Sequence, residues 1–501
     1  MTFLKRGCFF FEEAKEHCGV AAISINTEHA TGAIYNSLLA LQHRGQDSAG
    51  IAMLIDRDGT QSKLEGIGSS GEENMHEIRI KLVKGLVSNF RESWLGDMKS
   101  RVGIGHVRYC TAGSPGLDDA QPVLINCDNL RIALAFNGNV ANVKELRKML
   151  EADHNFIGDG DGEILAALFA VQMKKEKSIE KAFTAIHEKV DGAYSIAVVT
   201  SDGDLAAYRD QYGIRPLSIG ISDEGVMFAS ESVALRVNGF DAVRSLKPGE
   251  LVIVKDGSVE SRQIASLPSA SHCMFEYVYF SRPDSILDGV PVSDVRYRLG
   301  MALARRNVAD VDVIVPVPDT SRSAAEGIGA VTGIPVREGL IKNRYIGRTF
   351  IMPTQEQRER AVRIKLNPVA SVLDGKRVLL VDDSLVRGTT LRNIVAEVRS
   401  AGAKSVDVWI TCPPIISPCF YGVDMSNHKQ LAAANMGVEE IRRSIGADHL
   451  VYQRIEELKE AIGLGENICA GCLTGKYPTP LAQRLSEKSK SMPLVGRYTE
   501  L

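Results

Sequence analysis

One segment of the chain places two adjacent carboxylates between an apolar run and a small, hydroxyl-rich turn. Residues 378–390 read Val-Leu-Leu-Val-Asp-Asp-Ser-Leu-Val-Arg-Gly-Thr-Thr, and the first four predict a buried strand. The turn from Ser384 to Thr390 opens a predicted helix. Free N–H groups at a helix N-terminus suit a phosphate, and carboxylates at the end of a strand can bond sugar hydroxyls or hold Mg²⁺. The segment therefore predicts sites for a phosphate, a ribose and a metal ion.

A second group of reactive residue types begins with a cysteine at the head of the first predicted strand, in His17-Cys18-Gly19-Val20. Three further segments accompany it: Gln42-His43-Arg44-Gly45-Gln46-Asp47-Ser48-Ala49-Gly50, Gly105-His106-Val107-Arg108-Tyr109 and Asn137-Gly138-Asn139. Taken alone, Cys18 is most simply a buried thiol and Asn137-Gly138 a turn. Their chemistry depends on whether the fold brings them together.

The remaining cysteines include one close pair, Cys469-Ala470-Gly471-Cys472. A single C-x-x-C motif is compatible with zinc, with redox chemistry or with neither. Cys273 and Cys419 lie far away in the sequence, and four thiolates together would suit a [4Fe–4S] cluster or zinc. Cys412 stands in a predicted strand and is expected to be a core residue.

The composition is that of an ordinary globular chain long enough for two domains. Its 501 residues carry 59 basic and 62 acidic side chains, a net charge of −3, which lacks the basic surplus of a nucleic-acid surface. No apolar run approaches the ~20 residues that span a bilayer. Nine cysteines in so long a chain do not indicate a disulfide scaffold. We therefore expect a cytoplasmic protein that binds neither nucleic acid nor membrane.

The two halves of the chain differ in their pattern of predicted elements. Strand-like runs dominate the first half, at Gly19–Ile25, Gly50–Ile55, Val102–Tyr109, Leu130–Phe136, Tyr194–Thr200 and Gly225–Ala229. This density of strands predicts packed antiparallel sheets. After about residue 290 helices and strands alternate, which predicts a mostly parallel, doubly wound sheet. The domain boundary is expected between about 240 and 275.

The acidic segment resembles the phosphoribosylpyrophosphate (PRPP) signature of the type I phosphoribosyltransferases. The resemblance implies that Asp382 and Asp383 bond the ribose hydroxyls. It also implies that the 5-phosphate lies against Ser384, Val386, Arg387, Gly388, Thr389 and Thr390. An ordinary strand–turn–helix with capping Asp and Thr residues is the simpler alternative, but the succession of two acids, a hydroxyl and Arg-Gly-Thr-Thr is more specific. No Gly-Lys-Ser/Thr follows at P-loop spacing.

The segments that begin at Cys18 resemble, in this order, the class II glutamine amidotransferase domain, an N-terminal-nucleophile hydrolase with an αββα sandwich of antiparallel sheets. The match extends to about residue 235. It implies cleavage before Cys18, whose freed α-amino group (pKa about 8) would serve as general base for the thiol. Asn137 and Gly138 would form the oxyanion hole, Arg108 would bind the glutamine α-carboxylate, and Asp161 its α-amino group.

Both resemblances together identify the chain as similar to the glutamine PRPP amidotransferases, which make 5-phosphoribosylamine in purine synthesis. Pro316-Val317-Pro318-Asp319-Thr320-Ser321 resembles the pyrophosphate loop of that family, so Thr320 becomes a candidate Mg²⁺ ligand beside Asp382 and Asp383. The run from Lys342 to Phe350 resembles a mobile loop that closes over PRPP, with Lys342 near the pyrophosphate. The implied domains are a propeptide at 1–17, an amidotransferase domain at 18–240 and a phosphoribosyltransferase domain at 270–501.

One branch of the family carries a [4Fe–4S] cluster, and the resemblance assigns it to Cys273, Cys419, Cys469 and Cys472. It further implies a homotetramer and feedback inhibition by purine nucleotides. Several positions around the glutamine pocket depart from the family pattern, namely Ala22, Cys110, Phe136 and the glycines flanking Asp161. A slow or degenerate paralogue therefore stays open, as does a PRPP-sensing regulator, although no DNA-binding module is evident. A sugar-phosphate aminating amidotransferase is disfavoured because it would lack the 378–390 run.

Overall fold

The computed structural model describes residues 18–56, 76–109, 116–265, 269–343, 366–425 and 427–491. Its first half contains two antiparallel sheets. The strands are β1 (Gly19–Ile25), β2 (Ser48–Asp56), β3 (His76–Lys84), β4 (Val102–Arg108), β5 (Val123–Cys127), β6 (Leu130–Val140), β7 (Gly192–Thr200), β8 (Leu205–Arg209), β9 (Ser218–Ser222), β10 (Gly225–Ala229), β11 (Val243–Ser245), β12 (Glu250–Lys255) and β13 (Ser258–Gln263). One sheet has the order β11-β9-β10-β1-β4-β2-β3 and the other β13-β12-β8-β7-β6-β5.

The sheets stack face to face and are covered on both outer faces by helices. The helices are α1 (Ala30–Ala40), α2 (Glu92–Gly96), α3 (Val143–Leu150), α4 (Asp161–Glu176), α5 (Ile179–Lys189) and α6 (Ser232–Arg236), with 3₁₀ turns at Gln42–Arg44 and Val87–Asn89. Along β1 the period-two alternation buries Val20 and Ala22 between the sheets and Ala21 and Ile23 under α1. Helices α3, α4 and α5 pack on the other sheet. The result is the four-layer αββα sandwich implied by the resemblance to the class II glutamine amidotransferase domain.

The second half is built around a parallel sheet of order β17-β20-β21-β22. Its strands are β14 (His272–Cys273), β15 (Ile286–Leu287), β16 (Val290–Pro291), β17 (Val313–Pro316), β18 (Leu340–Lys342), β19 (Leu366–Pro368), β20 (Arg377–Asp382), β21 (Ser405–Ile410), β22 (His449–Tyr452) and β23 (Ile468–Cys469). The outer strands form short pairs, β14 with β23, β15 with β16 and β18 with β19.

Helices lie on both faces of the parallel sheet, as the alternating pattern predicted. They are α7 (Val292–Arg306), α8 (Arg322–Thr332), α9 (Ala370–Leu373), α10 (Thr389–Ser400), α11 (Ala432–Asn435), α12 (Val438–Ile445), α13 (Ile455–Ile462), α14 (Gly471–Thr474) and α15 (Pro480–Ser489), with a π-helical turn at Glu276–Phe280 and a 3₁₀ turn at His428–Gln430. One core joins Ile314 and Leu379 to α8, and the other joins Val315 and Leu380 to α10. The apolar stripe of α10, formed by Leu391, Ile394, Val395 and Val398, is buried.

The first folded unit extends beyond residue 240, the end given for it by sequence. Strand β11 pairs with β9, and β12 pairs with both β8 and β13, so both sheets are completed only at Gln263. Strand β11 has only three residues and all six residues of β13 face solvent, which explains why hydrophobic patterning did not reveal these two; β12 is buried and was not recognised either. Within the described ranges no helix combines the length and apolarity needed to cross a membrane.

Candidate active sites

Cys18 lies directly before β1 at the mouth of a cavity of about 250 Å³. Its Sγ lies 3.7 Å from the carbonyl oxygen of Tyr109 and is partly exposed. The same cavity is lined by Arg108, Gly138 and Asp161. The fold thus brings the predicted nucleophile together with three of the four residues predicted to bind its substrate or stabilise its oxyanion. The fourth, Asn137, directly precedes Gly138 on β6.

Asn137 and Gly138 stand where β6 approaches β7 closely. A Cβ at position 138 would lie 1.9 Å from the carbonyl oxygen of Ala193, so only glycine fits. Asn137 is fully buried, and neither atom of its side-chain amide has a hydrogen-bond partner in the part of the chain described. A buried amide is costly to leave unpaired. Gly138 lines the cavity, and the buried Asn137 precedes it without lining the cavity itself. An N–H donor next to the cavity suits a negatively charged oxygen.

The cavity is lined by one basic and one acidic side chain, those of Arg108 and Asp161. Arg108 ends β4, and its side chain is almost fully buried. Asp161 begins α4, and its Oδ2 accepts a hydrogen bond from Val140 N (2.8 Å). Burial raises the pKa of Asp161 to about 6, although the Val140 N–H and the Arg108 charge oppose that rise. A guanidinium and a carboxylate across one small cavity suit the α-carboxylate and α-ammonium of an amino acid.

The structure adds a residue at this site that the sequence did not single out. Asp119 Oδ1 accepts from Gly160 N (2.8 Å), and its Oδ2 lies 3.8 Å from Arg108 Nη2. Asp119 therefore orients Arg108 and fixes the residue before Asp161. It lies in an irregular stretch between strands, where no period or motif marks it, and only the tertiary fold reveals its place.

A buried ionic network lies directly behind Cys18. Arg44 Nε donates to Cys18 O (3.1 Å), and its other nitrogens donate to Glu231 Oε1 (2.6 Å) and Glu276 Oε1 (2.7 Å). Burial alone would lower the pKa of Arg44, but the two carboxylates hold it above its usual range. Glu276 also accepts from Arg215, whose Nε donates to Tyr421 O (2.9 Å). The network thus joins the glutamine-type site to the second half of the chain.

The second predicted site lies at the carboxyl end of β20. Asp382 Oδ1 accepts from Asp383 N (2.9 Å), and Ser384 Oγ donates to Asp383 Oδ1 (2.7 Å). The Thr320 hydroxyl, from the loop after β17, also donates to Asp383. Gly388, at a left-handed φ of 86°, turns the chain into α10 at Thr389 and Thr390. The two acids and the turn therefore occupy one edge of the sheet, as expected for parallel strands.

Two more contacts hold this turn in place. Val386 O accepts from Ala432 N (2.8 Å), and Arg387 Nη2 donates to Gln430 Oε1 (2.5 Å). Nearby, Lys342 Nζ lies 3.3 Å from Asp319 Oδ2. The predicted mobile loop continues through residues 344–350, which lie outside the described residues, as do the predicted propeptide at 1–17 and Cys110.

Neither predicted inorganic site shows the tight cluster of a single-ion centre. Across the described ranges, no three His, Cys, Asp or Glu side chains group as ligands for one ion. Asp382, Asp383 and the Thr320 hydroxyl are nevertheless hard oxygen donors at one place, the type that Mg²⁺ binds together with substrate oxygens and water. Their chemistry fits that ion.

The four predicted cluster cysteines lie in one neighbourhood. Strands β14 and β23 pair Cys273 with Cys469, while Cys472 O accepts from the N–H groups of Ile416 and Ser417 (3.0 Å each). Burial raises the pKa of Cys273 to about 11, and the nearby Cys419 thiol adds to that rise. Burial and the neighbouring thiols also raise the pKa of Cys469 and Cys472. Cys412 is fully buried, as predicted for a core residue.

Comparison with known proteins connects both sites to one family. Residues 113–237 match the glutamine amidotransferase domain family, and residues 297–415 the phosphoribosyl transferase domain family. The amidophosphoribosyltransferase of Methanothermobacter thermautotrophicus is 44% identical over 483 residues, 95% of this chain and 97% of that protein. The Bacillus subtilis amidophosphoribosyltransferase is 41% identical over 93% of this chain and 95% of its own length.

Solved structures agree. A glutamine PRPP amidotransferase from B. subtilis complexed with ADP and GMP superposes with a TM-score of 0.82 at 39% identity, covering 93% of this chain and 98% of that chain. A structure described as the allosteric regulatory enzyme of purine biosynthesis gives a TM-score of 0.83 at 40% identity, covering 96% and 100%. The chain therefore belongs to the amidophosphoribosyltransferase family.

Proposed function

We infer that the protein converts PRPP, glutamine and water to 5-phosphoribosylamine, glutamate and pyrophosphate, the first committed step of purine synthesis. The observation that carries this function is the meeting of Cys18, Arg108, Gly138 and Asp161 around one cavity in a chain whose second half presents Asp382 and Asp383 before a helix N-terminus. Family membership over nearly the whole length supports the same reaction.

In the first half, the Cys18 thiolate attacks the side-chain amide of glutamine. Arg108 holds the substrate α-carboxylate and Asp161 its α-ammonium, so the amide carbon is presented to Sγ. Asn137 and the Gly138 N–H stabilise the oxyanion. Ammonia leaves, and water releases glutamate from the thioester. The base for the thiol is the α-amino group of Cys18, which requires removal of residues 1–17.

In the second half, Asp382 and Asp383 accept hydrogen bonds from the ribose hydroxyls, and the turn from Ser384 to Thr390 surrounds the 5-phosphate with N–H donors. Thr320, Asp382 and Asp383 would hold Mg²⁺, which would supply neutralisation of charge on the pyrophosphate. Lys342 lies at the same edge and stabilises the departing pyrophosphate. Ammonia then attacks the anomeric carbon.

Ammonia must travel between the sites unprotonated, because ammonium is unreactive. We expect a sealed apolar channel that forms when PRPP orders the loop beyond Lys342. Deletion of that loop should lower glutamine-dependent synthesis while ammonia-dependent synthesis also falls, because the same loop excludes water from PRPP. Ammonia-dependent synthesis that is unchanged after the deletion would contradict the gating role.

The experiment that tests the function combines intact mass with a product assay. Purified protein is expected to have lost residues 1–17, and to form phosphoribosylamine, glutamate and pyrophosphate in equal amounts from glutamine and PRPP. A Cys18→Ser variant serves as the matched control for both measurements. Full-length mass together with absence of product would contradict the assignment. Full mass with slow turnover would favour the degenerate paralogue, in line with the altered residue Phe136.

The cysteine quartet is proposed to hold a [4Fe–4S] cluster. Each thiolate of such a cluster ligates a different iron, so the four sulfurs lie further apart than around one zinc. The pairing of Cys273 with Cys469 and the proximity of Cys472 to the other three thiols support a four-cysteine site, and the family resemblance favours the cluster over zinc. Anaerobic analysis should find four irons and four acid-labile sulfides per chain. Stoichiometric zinc would contradict the cluster.

Regulation and assembly complete the proposal. The B. subtilis structure was determined with ADP and GMP, which supports feedback inhibition of this chain by purine nucleotides. A homotetramer is expected from the resemblance to the glutamine PRPP amidotransferases. Inhibition by AMP and GMP in the product assay, and a tetramer mass in sedimentation, are the measurements that check these two points.

A further inference from the structure

Strand β6 carries Asn137, but the strand beside it does not extend that far. The first pair between β5 and β6 joins Val123 to Leu134. Two side chains take the place of the missing strand at Phe136: its N–H donates to Gln121 Oε1 (2.7 Å), and its carbonyl oxygen accepts from His106 Nε2 (3.0 Å). Both main-chain polar groups of the residue before Asn137 are therefore held by side chains.

His106 reaches β6 from the opposite sheet. It lies on β4, where the period-two alternation turns Ile104, His106 and Arg108 toward the same side. The imidazole is fully buried, and its Nδ1 has no hydrogen-bond partner among the described residues. Burial lowers the pKa of His106 to about 3, aided by the Arg108 charge. The ring is neutral, and since a carbonyl only accepts, Nε2 carries the proton.

Gln121 connects the same strand to the helix that begins with Asp161. Its side chain is buried, and a Cβ on Gly162 would lie 3.0 Å from Gln121 Cδ. Gln121 thus packs between β6 and the first turn of α4. Gln121 therefore contacts both the strand that carries Asn137 and the helix that begins with Asp161.

We propose that His106 and Gln121 are positioning residues that hold the two peptide groups flanking Phe136 so that the Asn137 amide points at the oxyanion of the reaction. The proposal rests on the glutaminase chemistry inferred above, and it starts from how the Asn137 side chain is held. Its side chain has no hydrogen-bond partner within the described ranges, so its direction depends on the backbone to which it is attached. That backbone pairs with β7 on one side, and on the other side, where β5 has ended, it is held by His106 and Gln121.

The test compares His106→Leu, which has no N–H, with His106→Gln, which keeps an N–H donor at a similar reach. His106→Leu should lower the glutaminase kcat about 10–100-fold with KM for glutamine within about 3-fold, because only transition-state stabilisation is lost. His106→Gln should recover most of kcat. The Ki of glutamate γ-semialdehyde, whose thiohemiacetal places an oxyanion in the hole, should rise by the same factor, and the Ki of glutamate should not change.

Gln121→Met has a similar volume but lacks the hydrogen-bond acceptor. It is expected to lower the glutaminase kcat with little change in KM, as His106→Leu does, and it tests the proposal if His106→Leu does not fold. His187→Leu, a half-buried histidine on α5 away from the cavity, is the matched control. Equal losses of glutamine- and ammonia-dependent synthesis, or no rescue by His106→Gln, would overturn the proposal. Wild-type protein without glutaminase activity would overturn the proposed function itself, whereas an active wild type with unaffected variants would overturn only the positioning role.

Discussion

The two active sites are assembled in opposite ways. The glutamine site takes Cys18, Arg108, Gly138 and Asp161 from four separate elements and encloses them in a cavity. The PRPP site takes most of its residues from one strand–turn–helix segment, Asp382 to Thr390, at an open sheet edge. A site of the first kind depends on the packing of the whole half that carries it. A site of the second kind is encoded mainly by one local segment, which a few contacts from neighbouring loops hold in place.

The largest expected effect separates the two sites completely. Cys18→Ala should lower glutamine-dependent synthesis by about 10⁴-fold or more, since it removes the nucleophile. Ammonia-dependent synthesis should stay within about 2-fold of wild type, because no residue of the PRPP site changes. Parallel assays with glutamine and with ammonium chloride measure this. Equal losses in both assays would show that the two sites are not independent in the way their construction suggests.

The buried network of Arg44, Glu231, Glu276 and Arg215 provides the next test, because Arg44 bonds the backbone of Cys18 in the glutamine site. Glu276→Gln leaves Arg44 and Arg215 buried with one carboxylate fewer, which we expect to cost about 3–5 kcal/mol of stability. Thermal unfolding and glutaminase activity should both fall, because Arg44 also bonds the Cys18 carbonyl. Glu260→Gln breaks an exposed pair with Arg262 and should leave both unchanged. Equal stability of the two variants would contradict the structural weight given to the junction.

The substitution Asp383→Asn tests the PRPP site, whose residues come mostly from one segment. Loss of this carboxylate should lower synthesis about 10²-fold with either nitrogen source, since it removes the group proposed to contact ribose and Mg²⁺. Alkylation of Cys18 by a glutamine-like diazoketone, measured without PRPP, should not change. Glu456→Gln, an exposed substitution on α13 in the same half, controls for nonspecific effects. A slower alkylation rate in Asp383→Asn, but not in Glu456→Gln, would show that the PRPP site affects the glutamine site even without substrate.

The contrast between the sites also explains what the sequence could predict. The strand, acids and turn at 378–390 were predicted from local pattern because helix and strand periods and turn residues are short-range signals. Asp119 and the link from Arg44 to Glu276 could not be predicted, since each joins residues far apart in sequence and neither lies in a distinctive pattern. Strand β13 was missed because its residues are exposed. Resemblance named residues that the fold brings to one cavity, but partners such as Asp119 became evident only from the fold.

The smallest expected effect is a pH dependence confined to the glutamine site. Burial raises the pKa of Asp161 to about 6, and the carboxylate must be ionised to hold the substrate ammonium. As pH falls below about 6, the proton occupies Asp161, so kcat/KM for glutamine should drop about 10-fold per pH unit. Ammonium- and PRPP-dependent steps do not use this carboxylate. Asp161→Asn should have low kcat/KM and lack this acid limb.

The matched measurement is kcat/KM for glutamine hydrolysis between pH 5 and 8 in wild type, Asp161→Asn and Asp119→Asn. Asp119 raises the pKa of Asp161 through its negative charge, so Asp119→Asn should move the acid limb to lower pH, provided that Arg108 keeps its position. A limb that stays in place in Asp161→Asn would assign the titration to another group. A limb that moves upward in Asp119→Asn would mean that this residue acts mainly by orienting Arg108, whose charge lowers the pKa of Asp161.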